Sequence, residues 1–405
     1  MKYIVLIGDG MADRPIGELG GKTPLQAAHT PNMDWLASRG TVGVVHTIPE
    51  GFYPGSDVAN LSVLGYAPSL YYSGRAPLEA ASIGVDLQPN DVAYRCNLVT
   101  LKFKRDRSTA IMDDYSAGHI ETAEAARLIK TIEDQLGNEE FSFYPGVSYR
   151  HLMVWHDGKA DIECAAPHDI MGRSVGDYLP VGDGADRLLD LMRRSVDILE
   201  RHEVNIERVA KGKKPANSIW LWGQGRRPKM PPFKDKYGLS GALISAVDLT
   251  KGLGIYAGFK IVNVPGATGW IDTNYSGKAE YGLKALEEVD FLYLHVEAPD
   301  EAGHAGRIDY KIKAIEDIDG KIVGPILEGL KNRAWDFKIL LMPDHPTPIE
   351  LRTHSSDPVP FVIYDSRVKG EGTNRGYSEE ILRALEAVVI KDGFKLMDLF
   401  IAERP

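Results

Sequence analysis

The amino-acid sequence predicts an α/β fold in which one sheet domain is built from both ends of the chain and a smaller α/β domain is inserted between them. The first observation is that apolar segments near both ends are continuous rather than alternating, which is typical of strands buried on both faces of a parallel sheet. The second is that the middle of the chain has shorter apolar stretches and two helical patterns. The third is the length of 405 residues, which usually means more than one domain.

The first predicted element is a strand over Tyr3–Ile7, a β-branched apolar run that ends in Gly8-Asp9-Gly10. Thr30 and Pro31 have the residue types of a helix N-cap and a first helical position. A glycine follows the end of this helical pattern. We therefore expect a helix over residues 32–38, and with it a strand, loop and helix in succession.

The middle of the chain predicts helices over residues 120–135 and 185–202. Strand patterns return late, over residues 289–296, 339–342 and 359–364. Because strands near both ends belong to one sheet in the most economical arrangement, the sheet domain is split along the chain.

We expect the chain to leave the sheet domain near residue 74 and to return near residue 262. Residues 1–74 and 262–405 then form the discontinuous sheet domain. Residues 75–261 form the inserted domain.

The charge and composition exclude several classes of protein. A net charge of −10 argues against a general binder of nucleic acid or of anionic membranes, since such proteins carry a basic excess. Two cysteines, Cys96 and Cys164, are too few for a disulfide framework. No stretch approaches the ~20 apolar residues that span a bilayer, and Asp9 interrupts the first apolar run, so we expect a cytoplasmic protein without a membrane partner.

Acidic side chains follow three of the predicted strands, and histidines accompany two of them. In open α/β sheets, ligands bind at the carboxyl ends of the strands. Carboxylates and imidazoles without thiolates suit Mn²⁺ or Zn²⁺, and Mg²⁺ less well. Six such groups exceed the needs of one tetrahedral ion, but two cations ~4 Å apart would use them all and could serve phosphoryl transfer. Taken singly, each residue could instead cap a loop or lie on the surface. The set is Asp9, Asp300, His304, Asp344, His345 and His354.

Ser56 lies in the segment Tyr53-Pro-Gly-Ser-Asp-Val-Ala-Asn60 at the predicted start of a helix. A hydroxyl there would meet backbone N–H groups that favour a bound oxyanion. From the sequence alone, a role of Ser56 as N-cap is the better interpretation. A coordinated metal ion would change this, because it makes a serine hydroxyl a usable nucleophile at neutral pH.

Conventional nucleotide motifs are missing, since the sequence has no P-loop and its Gly223-Gln-Gly225 segment lacks the third glycine of a dinucleotide fingerprint. Arg226 could grip a phosphate or carboxylate, or lie in a solvated loop. Other polar positions have the same two interpretations, an anion contact or a structural role. They are His119, Arg150, His168, Asp169 and Lys278.

Taken together, these segments resemble the cofactor-independent phosphoglycerate mutases of the archaeal type, within the alkaline phosphatase superfamily. The resemblance covers essentially the whole chain. It is carried by Gly8-Asp-Gly-Met-Ala-Asp-Arg-Pro15, Thr30-Pro-Asn-Met-Asp34, Pro54-Gly-Ser-Asp-Val-Ala-Asn-Leu-Ser62, Gly74-Arg-Ala-Pro-Leu-Glu79, Gly266-Ala-Thr-Gly269, Pro299-Asp-Glu-Ala-Gly-His304, Asp344-His345 and Pro358-Val-Pro360.

The resemblance implies an alkaline-phosphatase-like three-layer sheet domain that holds two divalent cations, Mn²⁺ foremost. By position, one cation would be bound by Asp300, His304 and His354, and the other by Asp9, Ser56, Asp344 and His345. Ser56 would form a phosphoserine intermediate while 3-phosphoglycerate and 2-phosphoglycerate interconvert, with no 2,3-bisphosphoglycerate. This is an isomerase of glycolysis and gluconeogenesis that acts on a small phosphorylated substrate.

The inserted domain would cover the substrate and exclude water. The candidate contacts to substrate are His119, Arg150, His168, Asp169 and Arg226 in this domain, and Lys278 near its boundary. The sequence does not fix an oligomeric state.

Other functions share the same metal site. Ser56–Asn60 and Gly74–Ala81 look closest to a bacterial branch proposed to contain homoserine kinases of threonine biosynthesis, which would need an external phosphate donor. A metal-dependent phosphatase is a further alternative. A binding protein without activity is disfavoured, because every matched position carries a metal-competent or nucleophilic group.

Overall fold

In a computed structural model, which describes residues 1–104, 109–368 and 372–402, the chain divides into two compact units. The first unit combines Met1–Tyr72 with the chain from Lys229 onward, and the second is Ser73–Pro228. The return to the first unit thus comes after Pro228 and not near residue 262 as expected. The reason is that residues 241–244 and 260–261 form strands of the large sheet.

The strands among the described residues are β1 (Lys2–Gly8), β2 (Thr41–Val45), β3 (Val92–Phe103), β4 (Ala110–Asp114), β5 (Phe141–Tyr144), β6 (Arg150–Trp155), β7 (Ser218–Arg226), β8 (Gly241–Ile244), β9 (Lys260–Ile261), β10 (Phe291–Val296), β11 (Phe337–Met342), β12 (Val359–Asp365) and β13 (Val388–Ile390).

The α-helices among these residues are α1 (Pro24–Ala27), α2 (Pro31–Arg39), α3 (Ser56–Val63), α4 (Pro68–Tyr71), α5 (Ala76–Ser82), α6 (Thr122–Leu136), α7 (Ala185–Glu200), α8 (Glu203–Ala210), α9 (Phe233–Tyr237), α10 (Asp248–Tyr256), α11 (Tyr275–Ala285), α12 (Ala298–His304), α13 (Ile308–Ile318), α14 (Gly324–Asn332) and α15 (Leu396–Ile401). A π-helical turn, Asp319–Val323, joins α13 to α14.

The first unit contains an eight-stranded sheet in the order β13-β2-β12-β11-β1-β10-β8-β9. At its centre β1 pairs in parallel with both β10 and β11, while β12 runs antiparallel to β11 and to β2. Because parallel strands end at the same edge, the residues that follow β1, β10 and β11 come together there.

Helices cover both faces of this sheet. On one face, Ile4 and Leu6 of β1 are buried in a core with Met33 of α2 and Ile315 of α13. On the other face, the ring of Tyr3 packs edge-on against Phe400 of α15, with centroids 5.8 Å apart. Successive strand residues therefore point into different helical layers, and the expected three-layer α/β arrangement is confirmed.

The second unit contains an antiparallel sheet in the order β4-β3-β6-β5, with β7 also paired to β3. Its core buries Leu98 and Trp220 of the sheet against Leu128 of α6 and Leu191 of α7. The two helices expected in the middle of the chain are thus present as α6 and α7, with ends within two residues of the expected ones. None of the helices in the described residues has the length and apolar character needed to cross a bilayer.

Candidate metal and nucleophile site

Three buried carboxylates converge at the carboxyl edge of the central strands. Asp9 follows β1, Asp344 follows β11 after one residue, and Asp300 lies in the first turn of α12 after β10. Each is at most 4% exposed. Burial, followed by the charges of Asp344 and Asp300, raises the pKa of Asp9 well above its ordinary value. Such a group of buried acids needs compensating positive charge to stay ionised.

Asp300 forms a first cluster with His304 and His354. His304 Nε2 lies 3.2 Å from Asp300 Oδ2, His354 Nε2 lies 3.4 Å from Asp300 Oδ1, and the two Nε2 atoms are 3.0 Å apart. The Nδ1 atoms of His304 and His354 lie 3.0 and 3.2 Å from the carbonyl oxygens of Arg352 and Pro54. Because a carbonyl only accepts, both Nδ1 atoms carry protons, so each ring in its neutral form would direct its Nε2 lone pair towards the carboxylate. This is the arrangement of metal-binding histidines.

In this cluster the pKa of Asp300 is lowered and the pKa of His304 is raised. Burial alone would raise the pKa of Asp300, but hydrogen bonds from His304 and His354 hold it well below its ordinary value. Burial lowers the pKa of His304, yet the hydrogen bond to Asp300 outweighs it and raises this pKa to about 9. Without a cation, a proton shared with the imidazoles supplies the positive charge that the carboxylate requires.

A second cluster contains Asp9, Asp344, His345 and Ser56. His345 Nε2 lies 3.0 Å from Ser56 Oγ, 3.4 Å from Asp9 Oδ1 and 3.6 Å from Asp344 Oδ2. Asn60 Nδ2 donates a 2.7 Å hydrogen bond to Asp344 Oδ2 and so fixes this carboxylate. The ligand atoms of Asp9, Asp300 and His345 also lie within 4.8 Å of one another, which brings the two clusters side by side.

Ser56 is the first residue of α3, and its side chain is only half-buried. The N-cap residue is Gly55, which has extended backbone, and no side chain caps this helix. The interpretation of Ser56 as an N-cap is therefore wrong, because the capping position falls one residue earlier. Its hydroxyl instead faces His345 beside the N–H groups of the first helical turn, where an anion is favoured.

The buried donor atoms fit a cation. Asp9 Oδ1 and His295 Nε2 make no hydrogen bond with any residue that the structure describes, although both are fully buried. A buried polar atom without a partner costs about 1–3 kcal/mol, so such pairs are rare unless a bound ion or water serves them. Carboxylate oxygens, imidazole nitrogens and a hydroxyl are the donors that Mn²⁺ and Zn²⁺ accept.

His295 was missed by the sequence reasoning. It is the penultimate residue of β10, and its Nε2 lies 3.0 Å from Asp9 Oδ2. Burial lowers its pKa to about 4, so the ring is neutral. A histidine inside an apolar strand is typical of a packed core, so nothing in the sequence marks it as a ligand. Because side chains alternate along a strand, His295 lies on the same face of β10 as Tyr293, and Tyr293 contacts Asn60 of α3.

Lys278 lies in the first unit and not in the inserted one. It is fully buried in α11, and its Nζ donates a 3.0 Å hydrogen bond to the carbonyl oxygen of His295. Burial lowers the pKa of Lys278 to about 8. In this structure Lys278 thus supports the strand that carries His295.

The second unit brings together three of the sequence-predicted contacts. The ring of His119 packs against Tyr149 at 6.0 Å, that of His168 packs against Tyr115 at 6.1 Å, and Tyr115 packs against Tyr149 at 5.5 Å between centroids. Arg150 Cζ lies 5.8 Å from the centre of the Tyr149 ring. His119, Arg150 and His168 are all exposed, so this cluster can meet a ligand.

The buried guanidinium of Arg95 lies close to this cluster. Arg95 pairs with Glu79 at 3.1 Å and lies 4.3 Å above the ring of Trp222, which in turn packs 5.3 Å from His168. Burial lowers the pKa of His168, and the nearby cation of Arg95 lowers it further. Asp169, exposed beside His168 at 3.5 Å, is the acidic member of the group.

Arg226 is placed differently. Its guanidinium donates hydrogen bonds to the carbonyl oxygens of Asn90 and Gly158, the latter at 2.8 Å. These bonds join two loops of the second unit. Both of its bonded donors therefore serve the backbone rather than the aromatic cluster.

The chain is similar to a family model and to known proteins, and both similarities identify the same family. The family model described as 2,3-bisphosphoglycerate-independent phosphoglycerate mutase matches residues 37–205. A relative from Geobacter sulfurreducens, described as a probable enzyme of this kind, is 55% identical over 99% of this chain and 100% of its own length. The enzyme of this name from Methanosarcina barkeri is also 55% identical, over 94% of each chain.

Solved structures agree. A protein from Pyrococcus horikoshii superposes with a TM-score of 0.83 at 29% identity, over 100% of this chain and 98% of that one. The cofactor-independent phosphoglycerate mutase of Thermoplasma acidophilum superposes with a TM-score of 0.67 at 30% identity, over 99% of each chain.

Proposed function

This chain belongs to the 2,3-bisphosphoglycerate-independent phosphoglycerate mutases, and on that premise we propose that Ser56 is the residue that carries the phosphoryl group. The enzyme is an isomerase that interconverts 3-phosphoglycerate and 2-phosphoglycerate. The observation that supports Ser56 is its place at the first position of α3, with its Oγ 3.0 Å from His345 Nε2 beside buried Asp9 and Asp344.

The reaction takes two balanced steps. In the first, Ser56 Oγ loses its proton and attacks phosphorus, and the bond from phosphorus to the C3 oxygen of the glycerate breaks as that oxygen gains a proton. In the second, the C2 hydroxyl of the retained glycerate loses its proton and attacks the phosphoserine, which releases Ser56 Oγ to be protonated again. The first turn of α3 offers N–H donors to the phosphoryl oxygens throughout.

Two sets of side chains would hold divalent cations, which lower the pKa of the serine hydroxyl and neutralise the charge of the transferred group. One set is Asp300, His304 and His354, and the other includes Asp9, Ser56, Asp344 and His345. The mixture of nitrogen and oxygen donors suits Mn²⁺ or Zn²⁺ better than Mg²⁺, and of these we propose Mn²⁺, the cation that the family resemblance puts first.

The aromatic and cationic cluster of the second unit supports a role in gripping the glycerate. Arg150 and His168 are exposed, and both lie beside aromatic rings. A carboxylate or phosphate would find guanidinium and imidazole donors there. That this unit covers the substrate and excludes water stays a prediction.

The remaining features of the proposal follow from the reaction. Because the phosphoryl group returns to the same glycerate, no 2,3-bisphosphoglycerate is needed. A location in the cytoplasm and a place in glycolysis and gluconeogenesis suit such an enzyme.

The test is an enolase-coupled assay on protein stripped of metal with a chelator. We expect turnover to vanish when the metal is removed and to return when Mn²⁺ is added. We also expect kcat of Ser56→Ala to fall by at least about 10⁴-fold, because this variant lacks the attacking oxygen. Ser62→Ala, a change of a second serine in α3, is the matched control and should keep the wild-type rate.

Undiminished turnover in the stripped enzyme, or in Ser56→Ala, would refute the proposal. Offering the enzyme homoserine and ATP in a parallel reaction separates the kinase alternative, because product from that mixture alone would replace the mutase assignment.

A further inference from the structure

His295 occupies a position in β10 that has no structural need for an imidazole. The strand is apolar around it, with Leu294 and Val296 packed into the main core on the opposite face. The His295 side chain is completely buried. A leucine or valine would pack there without any polar atom to satisfy, so the imidazole has to be explained by what its nitrogens meet.

The two ring nitrogens have different surroundings. Nδ1 lies 3.3 Å from Ser245 Oγ, and this hydroxyl also accepts a 3.0 Å hydrogen bond from the Val247 N–H. Nε2 lies 3.0 Å from Asp9 Oδ2 but is not oriented to form a hydrogen bond with it or with any other described atom. The ring is thus held at Nδ1, while Nε2 is directed into the acidic cluster without a partner.

The neighbouring carboxylates complete a cation-binding arrangement. His295, Asp9 and Asp344 each offer one ligand atom, and these atoms all lie within 4.8 Å of one another. Asp9 Oδ1 is likewise buried and without a hydrogen bond. An unpaired imidazole nitrogen beside an unpaired carboxylate oxygen is the donor pair that a divalent metal ion satisfies at once.

We propose that His295 Nε2 is a ligand of the cation that Asp9 and Asp344 hold. The inference rests on the metal site of the proposed function but not on its chemistry. It adds an imidazole to a set in which His345 is otherwise the nitrogen donor. Ser245 then has the role of the outer partner that orients a metal-bound histidine through its second nitrogen.

This assignment has a consequence for metal selectivity. Mg²⁺ prefers an oxygen shell and gains little from an added imidazole, whereas Zn²⁺ and Mn²⁺ gain more. Loss of His295 should therefore weaken Zn²⁺ binding far more than Mg²⁺ binding.

Two measurements on the full chain test the proposal. The first is calorimetric titration of chelator-stripped protein with Zn²⁺ and, separately, with Mg²⁺. We expect His295→Gln to weaken one of the two Zn²⁺ sites on the order of 100-fold or more, and Mg²⁺ binding less than 10-fold. His345→Gln serves as the comparison for loss of a ligand at the same site. A Zn²⁺ loss of less than 10-fold in His295→Gln would overturn the proposal.

The second measurement needs no variant and holds even if His295→Gln fails to fold. In a crystal structure of the Zn²⁺-loaded wild-type protein, located by anomalous scattering, we expect zinc about 2.1 Å from His295 Nε2. Zinc bound to Asp9 and Asp344 but not to His295 would refute this inference and leave the proposed function intact. No zinc at Asp9 and Asp344 would refute both.

Discussion

Gly10 shows how closely the backbone itself enters the metal site. Its φ of +61° lies in the left-handed region that favours glycine. Its N–H donates to Asp344 Oδ1 at 3.2 Å, and a Cβ built on it would lie 2.8 Å from the Cα of Asp300 and 2.7 Å from Asp300 Oδ1. Gly10 therefore lies between an acid of each cluster, where no side chain would fit.

We expect Gly10→Ala to destabilise the protein and to weaken metal binding. Gly20→Ala is the matched control, because Gly20 has a φ of +67° and open space around it. The control should cost about 1–2 kcal/mol from backbone strain alone, and Gly10→Ala should cost about 1–3 kcal/mol more from overpacking. Urea unfolding of the stripped proteins measures the first effect and Zn²⁺ titration the second. Equal losses in the two variants would show that the site has room for a methyl group.

Most of the candidate site could be predicted residue by residue. Asp9, Asp300 and Asp344 are visible because each follows a buried strand, and parallel strands end at one edge. His295 could not be predicted, because its role depends on which face of β10 it occupies and on its 3.0 Å distance to Asp9. Ser56 was predicted to lie at the start of a helix, and it is the first residue of α3, but the N-cap position is held by Gly55.

Helix α13 contributes to the site through a buried ion pair. Lys311 is completely buried, and its Nζ donates to Asp13 Oδ2 at 2.7 Å and to the carbonyl oxygens of Thr347 and Ala12 at 2.8 and 3.2 Å. These acceptors lie in the two loops that follow β1 and β11. Thr347 in turn donates through its hydroxyl to Asp300, so α13 fixes both loops behind the ligands.

We expect Lys311→Met to destabilise the protein by about 3–5 kcal/mol, since it leaves the carboxylate of Asp13 buried without a cation. Lys313→Met is the control on the same helix. Lys313 pairs with Asp317 at 2.8 Å, but its side chain is 59% exposed, so its removal should change stability by no more than about 1 kcal/mol. Chemical unfolding of both variants gives the comparison. A cost for Lys311→Met as small as that of the control would mean that water or a proton replaces the lysine.

Long, strongly patterned elements could be predicted from the sequence, and short ones could not. The strand expected over residues 289–296 is β10, and the helix expected over 185–202 is α7. In contrast β8 has four residues and β9 has two, and neither is long enough to show a period. β8 joins the large sheet by pairing with β10, with Gly241 opposite Phe291, and β9 joins it by pairing with β8. Because this pairing links segments far apart in the sequence, the return to the first unit was expected too late.

For the whole molecule, the nested organisation places every proposed metal ligand in the first unit. A ligand present at 100 times its Kd stabilises the state that binds it by about 2.7 kcal/mol. We expect Mn²⁺ at that concentration to slow hydrogen exchange on the order of 100-fold in β1, β10 and β11. Exchange in β3, β6 and β7 should not change, because those strands belong to the second unit.

Hydrogen exchange measured by mass spectrometry on the stripped and on the loaded protein gives this comparison, because strands of both units are followed in each sample. A chelator that accelerates exchange equally in β1 and β3 would show that the chain unfolds as one cooperative body. No change in β1 would place the cation elsewhere.

The position of β1 between β10 and β11 has a consequence for how the chain is made. Its two neighbours begin at Phe291 and Phe337, so about 330 residues separate β1 from its second partner. At a synthesis rate of 5–20 residues per second, the apolar run Tyr3–Ile7 waits roughly 15 to 65 s on the ribosome before that partner exists. Ser73–Pro228 has all of its strands by then and can fold first. We therefore expect the inserted unit to fold first during biosynthesis, while β1 stays exposed as an unpaired apolar segment.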